Sequence, residues 1–129
     1  MERIKYIPGD LVYIPKFGNN YTIMSSGNYY EALDANYNDV VIEYTDIVPI
    51  PLTPEILDNN KWKRLKSKRY TWWRARFDGV YYFIKPNKDY PSVWELCRGK
   101  TKHRFKKIRY VHQLQHFLFG LELNSDMNL

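Results

Sequence analysis

The chain has a single cysteine, Cys97, which excludes an internal disulfide and any cysteine-rich metal site and fits a reducing compartment. Long apolar runs are also missing. Met1 is followed by Glu2-Arg3-Ile4-Lys5 rather than a signal-peptide stretch, and nowhere do about eighteen apolar residues follow one another. The expectation is a soluble, cytoplasmic protein with no membrane partner, since the basic region also has no amphipathic helical stripe to anchor it. There is no glycine-rich phosphate loop, dinucleotide fingerprint, Ser-His-Asp arrangement, internal repeat or low-complexity tract.

Charge is abundant and unevenly placed. Residues 61–109 hold seventeen of the 20 Lys and Arg residues against three acids, Asp78, Asp89 and Glu95, a local balance of +14. Residues 1–60 stand at −6 and residues 110–129 at −2. The basic stretch also holds all four tryptophans, Trp62, Trp72, Trp73 and Trp94. Such a field with stacking surfaces in it suits ligands that carry phosphate. At 129 residues, 44% apolar and 17% aromatic, the chain is globular and fits one compact domain or two very small lobes. Twelve tyrosines suit half-buried strands and wet binding surfaces equally well.

Four short β-type runs, Leu11-Val12-Tyr13-Ile14, Tyr21-Thr22-Ile23-Met24, Tyr29 to Leu33 and Val40 to Tyr44, alternate with turn signals. They predict a meander curled into a small SH3-like barrel over residues 1–48. The prolines at 49, 51 and 54 forbid a regular ladder and mark a linker. A short helix follows, with Thr53 as its cap, Pro54 at its first position and Asn59-Asn60 at its end.

The basic segment reads as strands. Along Trp72 to Phe77, alternation puts Trp73, Ala75 and Phe77 on one face and Trp72, Arg74 and Arg76 on the other, and Asp78-Gly79 predicts a two-residue turn into Val80 to Ile84. A second pair, Ser92 to Cys97 and Lys102 to Arg109, would place Lys102, Arg104 and Lys106 on one face. A last helix from Tyr110 to Leu121 aligns Tyr110, Leu114, Phe117 and Leu121, and is expected to pack on the basic sheet. The tail from Asn124 to Leu129 is expected to fray. The fold class is α+β, with a barrel-like lobe followed by an α-β-β-β-β-α basic aromatic lobe over residues 49–129.

Two separated stretches carry a resemblance: Ile47-Val48-Pro49-Ile50-Pro51-Leu52-Thr53-Pro54-Glu55-Ile56-Leu57, and Tyr110-Val111-His112-Gln113-Leu114-Gln115-His116-Phe117-Leu118-Phe119-Gly120. In order and spacing they resemble a family of small uncharacterised proteins carried by phages and mobile elements of gut anaerobes, whose opening Gly9-Asp10-Leu11-Val12 also resembles. This chain departs from the family in its basic, Trp-rich middle and in His116, where an asparagine is expected. The resemblance implies a phage or mobile-element origin and a host-cell cytoplasm. It implies no chemistry, and it favours binders, decoys and inhibitors over enzymes.

His112 and His116 stand one helical turn apart, a spacing that can hold a metal ion, but with no third ligand in view they read as a helix-surface pair. Cys97 with His103 lacks an orienting third group, and a lone strand cysteine reads as a small buried hydrophobe. A metal-dependent nuclease would need clustered carboxylates that the basic segment does not offer. No cofactor is expected. The sequence therefore points to a non-enzymatic binder of a nucleotide or nucleic acid through Trp72, Arg74, Arg76, Lys102, Arg104 and Lys106. In a phage setting it would act by sequestering a host nucleotide signal. The alternatives are a module that docks on and inhibits an acidic protein, or a homo-oligomer pairing acidic and basic lobes.

Overall fold

Two antiparallel sheets of five strands each carry the chain, one formed before residue 50 and one after it. The computed structural model describes residues 5–67, 71–99, 103–123 and 125–129, and for residues 103–105 the backbone only. The class is α+β. By internal contacts the chain divides into a first unit, Met1–Ile50 with Tyr110–Met127, and a second, Pro51–Arg109 with Asn128–Leu129.

The first unit begins with β1 (Leu11–Ile14), β2 (Asn19–Ser25), β3 (Tyr30–Leu33) and β4 (Asp39–Ile42), each paired with the one before it. Period-two alternation turns Val12 and Ile14, Tyr21 and Ile23, and Tyr30 and Ala32 to one side, where Tyr6, Ile42 and Ile47 complete the buried cluster. After a 3-10 turn at Tyr44–Asp46, the two residues of β5 (Val48–Pro49) pair with β1. The order is therefore β4-β3-β2-β1-β5, an open sheet. The expected SH3-like closure is not seen: among the described residues β5 adds to the β1 edge and β4 stays at the opposite edge. Val48 and Pro49, expected as linker, form a ladder because proline is tolerated on an edge strand.

The second unit opens with α1 (Pro54–Asp58). As expected, the Thr53 hydroxyl accepts from the Ile56 amide (3.3 Å), and Asn59 ends the helix. Asn60 and Asn128 exchange hydrogen bonds of 2.7 Å, so the C-terminus is tied to the end of α1 rather than frayed. The sheet follows as β6 (Lys63–Lys66), β7 (Thr71–Phe77), β8 (Val80–Pro86), β9 (Trp94–Arg98) and β10 (His103–Ile108), in spatial order β10-β9-β8-β7-β6. The β7–β8 turn is the expected one, with Asp78 and Gly79 both at positive φ, 50° and 80°, which glycine tolerates best. β6 was not foreseen, since its run Lys-Arg-Leu-Lys has no β signature of its own. Tertiary pairing with β7 makes it a strand.

The last helix, α2 (Val111–Gly120), has nearly the expected extent, and the Gln113 side chain accepts from the Tyr110 amide at its start (3.0 Å). Its packing corrects the expectation. Of the expected Tyr110, Leu114, Phe117, Leu121 stripe only Leu114 is buried, the other buried positions are Val111, His112, Gln115 and Leu118, and the helix belongs to the first unit. Gln115 supplies the reason. Its side chain accepts from the Leu11 amide (2.9 Å) and donates to the Gly9 (3.0 Å) and Ser125 (3.1 Å) carbonyls, which fastens α2 to the start of β1. Gln115→Ala leaves these backbone groups without a partner and should cost about 2–4 kcal/mol. Urea denaturation checks this; a loss below about 0.5 kcal/mol would show that water replaces the amide.

Candidate functional site

The outer face of the second sheet is set by the alternation of β7. Trp73 and Ala75 are buried on the inner face, and Trp72, Arg74 and Arg76 alternate with them. Trp73 is fixed by an indole hydrogen bond to Asp58 (2.9 Å) and an edge-to-face contact with Trp94 (5.4 Å). Trp94 in turn donates to the Leu52 carbonyl (3.0 Å). The side chains of Arg64 and Trp73 hold the Asp58 carboxyl below its usual range. Three of the four tryptophans, Trp62, Trp73 and Trp94, are therefore core, and Trp72 alone of the four stands half-buried on the outer face.

On that outer face the register places Lys63 directly opposite Arg74, Arg76 opposite Tyr81, and Lys107 opposite Glu95. The Arg74 and Arg76 guanidinium carbons lie 4.9 Å and 5.5 Å from the Tyr81 ring centroid. No carboxylate pairs with Lys63, Arg74 or Arg76 among the described residues. Like charges directly opposite in a ladder are destabilising, so Lys63 beside Arg74 is an arrangement that an external anion would relieve.

A cavity of about 740 Å³ opens beside Trp72, lined among others by Lys85, Lys88, Tyr90, Glu95 and Lys107. The Lys85 ammonium stands 4.7 Å from the Trp72 ring and 3.6 Å from the Glu95 carboxylate, which also accepts from Nδ2 of the Asn87 side chain (3.3 Å). Asn87 caps the loop from the other side: its Oδ1 accepts from the Asp89 (2.9 Å) and Tyr90 (3.1 Å) amides.

Of the six residues expected to bind ligand, Trp72, Arg74 and Arg76 share one face. Lys106 does not join them. A bulge between Arg104 and Lys106 breaks the alternation of β10, so Lys106 pairs with the core-face Leu96 while Lys107 pairs with Glu95. Arg104 stands opposite Cys97 in the ladder, and its side chain lies outside the described residues, as does Lys102 altogether. Lys63, Tyr81, Lys85, Tyr90 and Lys107 were not foreseen at this face. For Tyr81 and Lys85 the signal was available, since extending the β7 alternation across the Asp78-Gly79 turn into β8 reaches both, whereas Lys63 lies on β6, whose run has no β signature. The bulge and the loop had none. Cys97 is buried, and the His103 side chain lies outside the described residues.

A second polar cluster lies in the first unit. Asp10 is 1% exposed, accepts from the Ile7 amide (2.9 Å) and meets His116 Nε2 with both oxygens (2.8 and 2.9 Å). Burial raises its pKa, and the Ile7 amide and His116 offset part of that rise. His112 is buried rather than on the helix surface, stacked on Tyr110 (5.8 Å) and edge-on to Tyr6 (5.2 Å), and its Nδ1 has no hydrogen-bond partner. Among the described residues no group of three His, Cys, Asp or Glu side chains is placed to hold a metal ion. No helix among them is long and apolar enough to cross a membrane.

No family model, curated protein or solved structure matches the chain.

Burial lowers the His112 pKa from 6.5 to about 4, with His116 adding to the effect. Between those values the unfolded chain takes up a proton that the folded protein refuses, so stability falls as pH drops through that window, by about 3 kcal/mol in all. Asp10 works in the opposite sense, since its raised pKa lets the folded state hold a proton more readily. His112→Phe keeps the ring and removes the unpaired nitrogen. Urea midpoints at pH 7, 5.5 and 4 should decline markedly less in the variant than in the parent; equal declines would reject His112 as the source.

Proposed function

We propose that the protein is a non-enzymatic binder of a phosphate-bearing nucleotidic ligand, held on the outer face of the second sheet. The observation that carries this reading is the pairing of carboxylate-free cations with an aromatic ring on one face of the sheet: Arg74 and Arg76 against Tyr81, with Lys63 beside Arg74. Guanidinium groups already stacked on a ring have lost part of their rotamer freedom, so less is left to lose when phosphate arrives. Their N–H edges stay available for two parallel bonds to phosphate oxygens. The cavity at Trp72 adds a concave aromatic surface to the same face.

In the setting that the sequence resemblance implies, a phage or mobile-element protein of this kind acts by sequestration, removing a nucleotide signal on which host defence depends. No catalytic step is assigned to it. Docking on an acidic host protein is the second reading, favoured by the position of Lys63, Arg74 and Arg76, none of which lines the cavity.

Arg74→Ala with Arg76→Ala is the direct test. The double variant should keep its thermal unfolding transition, because Arg76 is exposed and Arg74 only partly buried. Its affinity for single-stranded nucleic acid should fall by about 30-fold or more at low salt, with a flatter salt dependence. A folded double variant with parental affinity for single strands would reject the site. If the parent binds neither single strands nor free nucleotide, yet retains an acidic protein through Arg74 and Arg76, the docking reading replaces the nucleotidic one.

A further inference from the structure

The cavity beside Trp72 contains more than cations, and its make-up narrows the ligand. Trp72 of β7 and Tyr90 of the β8–β9 loop bring aromatic surface from two separate elements. The Lys85 ammonium lies over the Trp72 ring at 4.7 Å, so that ring presents its face to a cavity-lining group. Lys85, Lys88 and Lys107 are set against two carboxylates, Glu95 and Asp89, which leaves a balance of only +1.

The two acids are not equivalent. Glu95 is 13% exposed in its side chain and engaged with Asn87 and Lys85. Asp89 is exposed, and among the described residues nothing donates to its carboxylate. Its position is nonetheless built. Asn87 Oδ1 holds the Asp89 and Tyr90 amides, Asn87 donates to the Val93 carbonyl (2.9 Å), and Val93 donates to the Tyr90 carbonyl (3.0 Å). The loop that carries Lys88, Asp89 and Tyr90 is thus fixed from within.

An unpaired carboxylate at the rim opposes a bare phosphate and rewards a ligand that brings N–H donors along with its anion. A nucleotide whose base carries an exocyclic amino group offers both on a flat aromatic frame. The cavity volume of about 740 Å³ falls within the small-molecule range of about 300–1,000 Å³. A duplex would have to unpair a base to fill it, at a cost of a few kcal/mol.

We propose, resting on the nucleotidic reading above, that this cavity holds one nucleotide: the base lies against Trp72, its phosphate meets Lys107 and Lys88, and Asp89 selects an amino-bearing base. The base takes the place of the Lys85 ammonium on the indole, and Lys85 turns to the phosphate.

Calorimetric titration of the full chain at low salt tests this with two matched pairs: adenosine monophosphate against purine riboside monophosphate, and guanosine against inosine monophosphate. Within each pair the second member lacks only the amino group. In at least one pair the amino-bearing nucleotide should bind about fivefold tighter or more, as one hydrogen bond to a charged acceptor allows. Asp89→Ala should bring that pair to within about twofold by relaxing the amino-bearing member, while Lys107→Ala should weaken both members alike. No gap in either pair, or a gap that survives in Asp89→Ala, overturns the inference. If no mononucleotide binds but a single strand of about 20 nucleotides does, in a manner dependent on Arg74 and Arg76, this inference fails and the broader reading stands. Binding of neither removes both.

Discussion

Everything in the second unit follows from the two-residue period of β7. One face of that strand must be apolar, because Trp73 and Ala75 are buried, Trp73 against Trp94 and bonded to Asp58 of α1, and the other face then has to carry Trp72, Arg74 and Arg76. A slip of one residue would exchange the two sets and bury two guanidinium groups, so the register is pinned as firmly by charge as by packing. Asp58 reinforces it from the helix side. Its carboxylate takes the Trp73 indole N–H and the Arg64 guanidinium together, which joins α1 to the inner face of two neighbouring strands. Core and surface chemistry are therefore two readings of one alternation.

The first unit depends on polar groups that ordinary pattern reading places on the surface. Gln115 is 2% exposed and His112 4%, and both lie on the face of α2 turned inward. A buried amide is tolerable when each of its hydrogen-bonding atoms finds a partner, as Gln115 does at Gly9, Leu11 and Ser125. Asp10 is satisfied in the same way by Ile7 and His116. His112 Nδ1 is the exception, and burial without a partner is what keeps that ring neutral.

These details mark what the sequence could and could not disclose. The β7–β8 hairpin was legible because Asp78-Gly79 and strict alternation agree, and α1 because Thr53, Pro54 and Asn59 mark both of its ends. The seat of α2 was not legible, since counting apolar positions ignores a glutamine that binds backbone. The open first sheet was hidden because Val48-Pro49 pairs through an edge that only the folded sheet provides. At the candidate face, Trp72, Arg74 and Arg76 were readable from one strand. Replacing Lys106 by Lys107 was not, because a bulge carries no signature in Phe105 or its neighbours.

A basic stretch is most often a solvated face that keeps a small domain soluble, and the arrangement here has to be weighed against that. Solubility asks for interspersed signs and freely moving side chains. The outer face departs from the first at Lys63, Arg74 and Arg76, and from the second there and at Lys85. Lys63 and Arg74 are set directly across from each other, Arg74 and Arg76 converge on one tyrosine ring, and Lys85 is held between Trp72 and Glu95. Each cation–π contact is worth only about 0.5–1 kcal/mol at an exposed site, too little to explain gathering like charges for stability alone. On the reading proposed above, the gathering raises the local potential where donors are already oriented, and an incoming anion would convert that repulsion into attraction. It is this constraint, rather than bulk solvation, that the proposed anion would use.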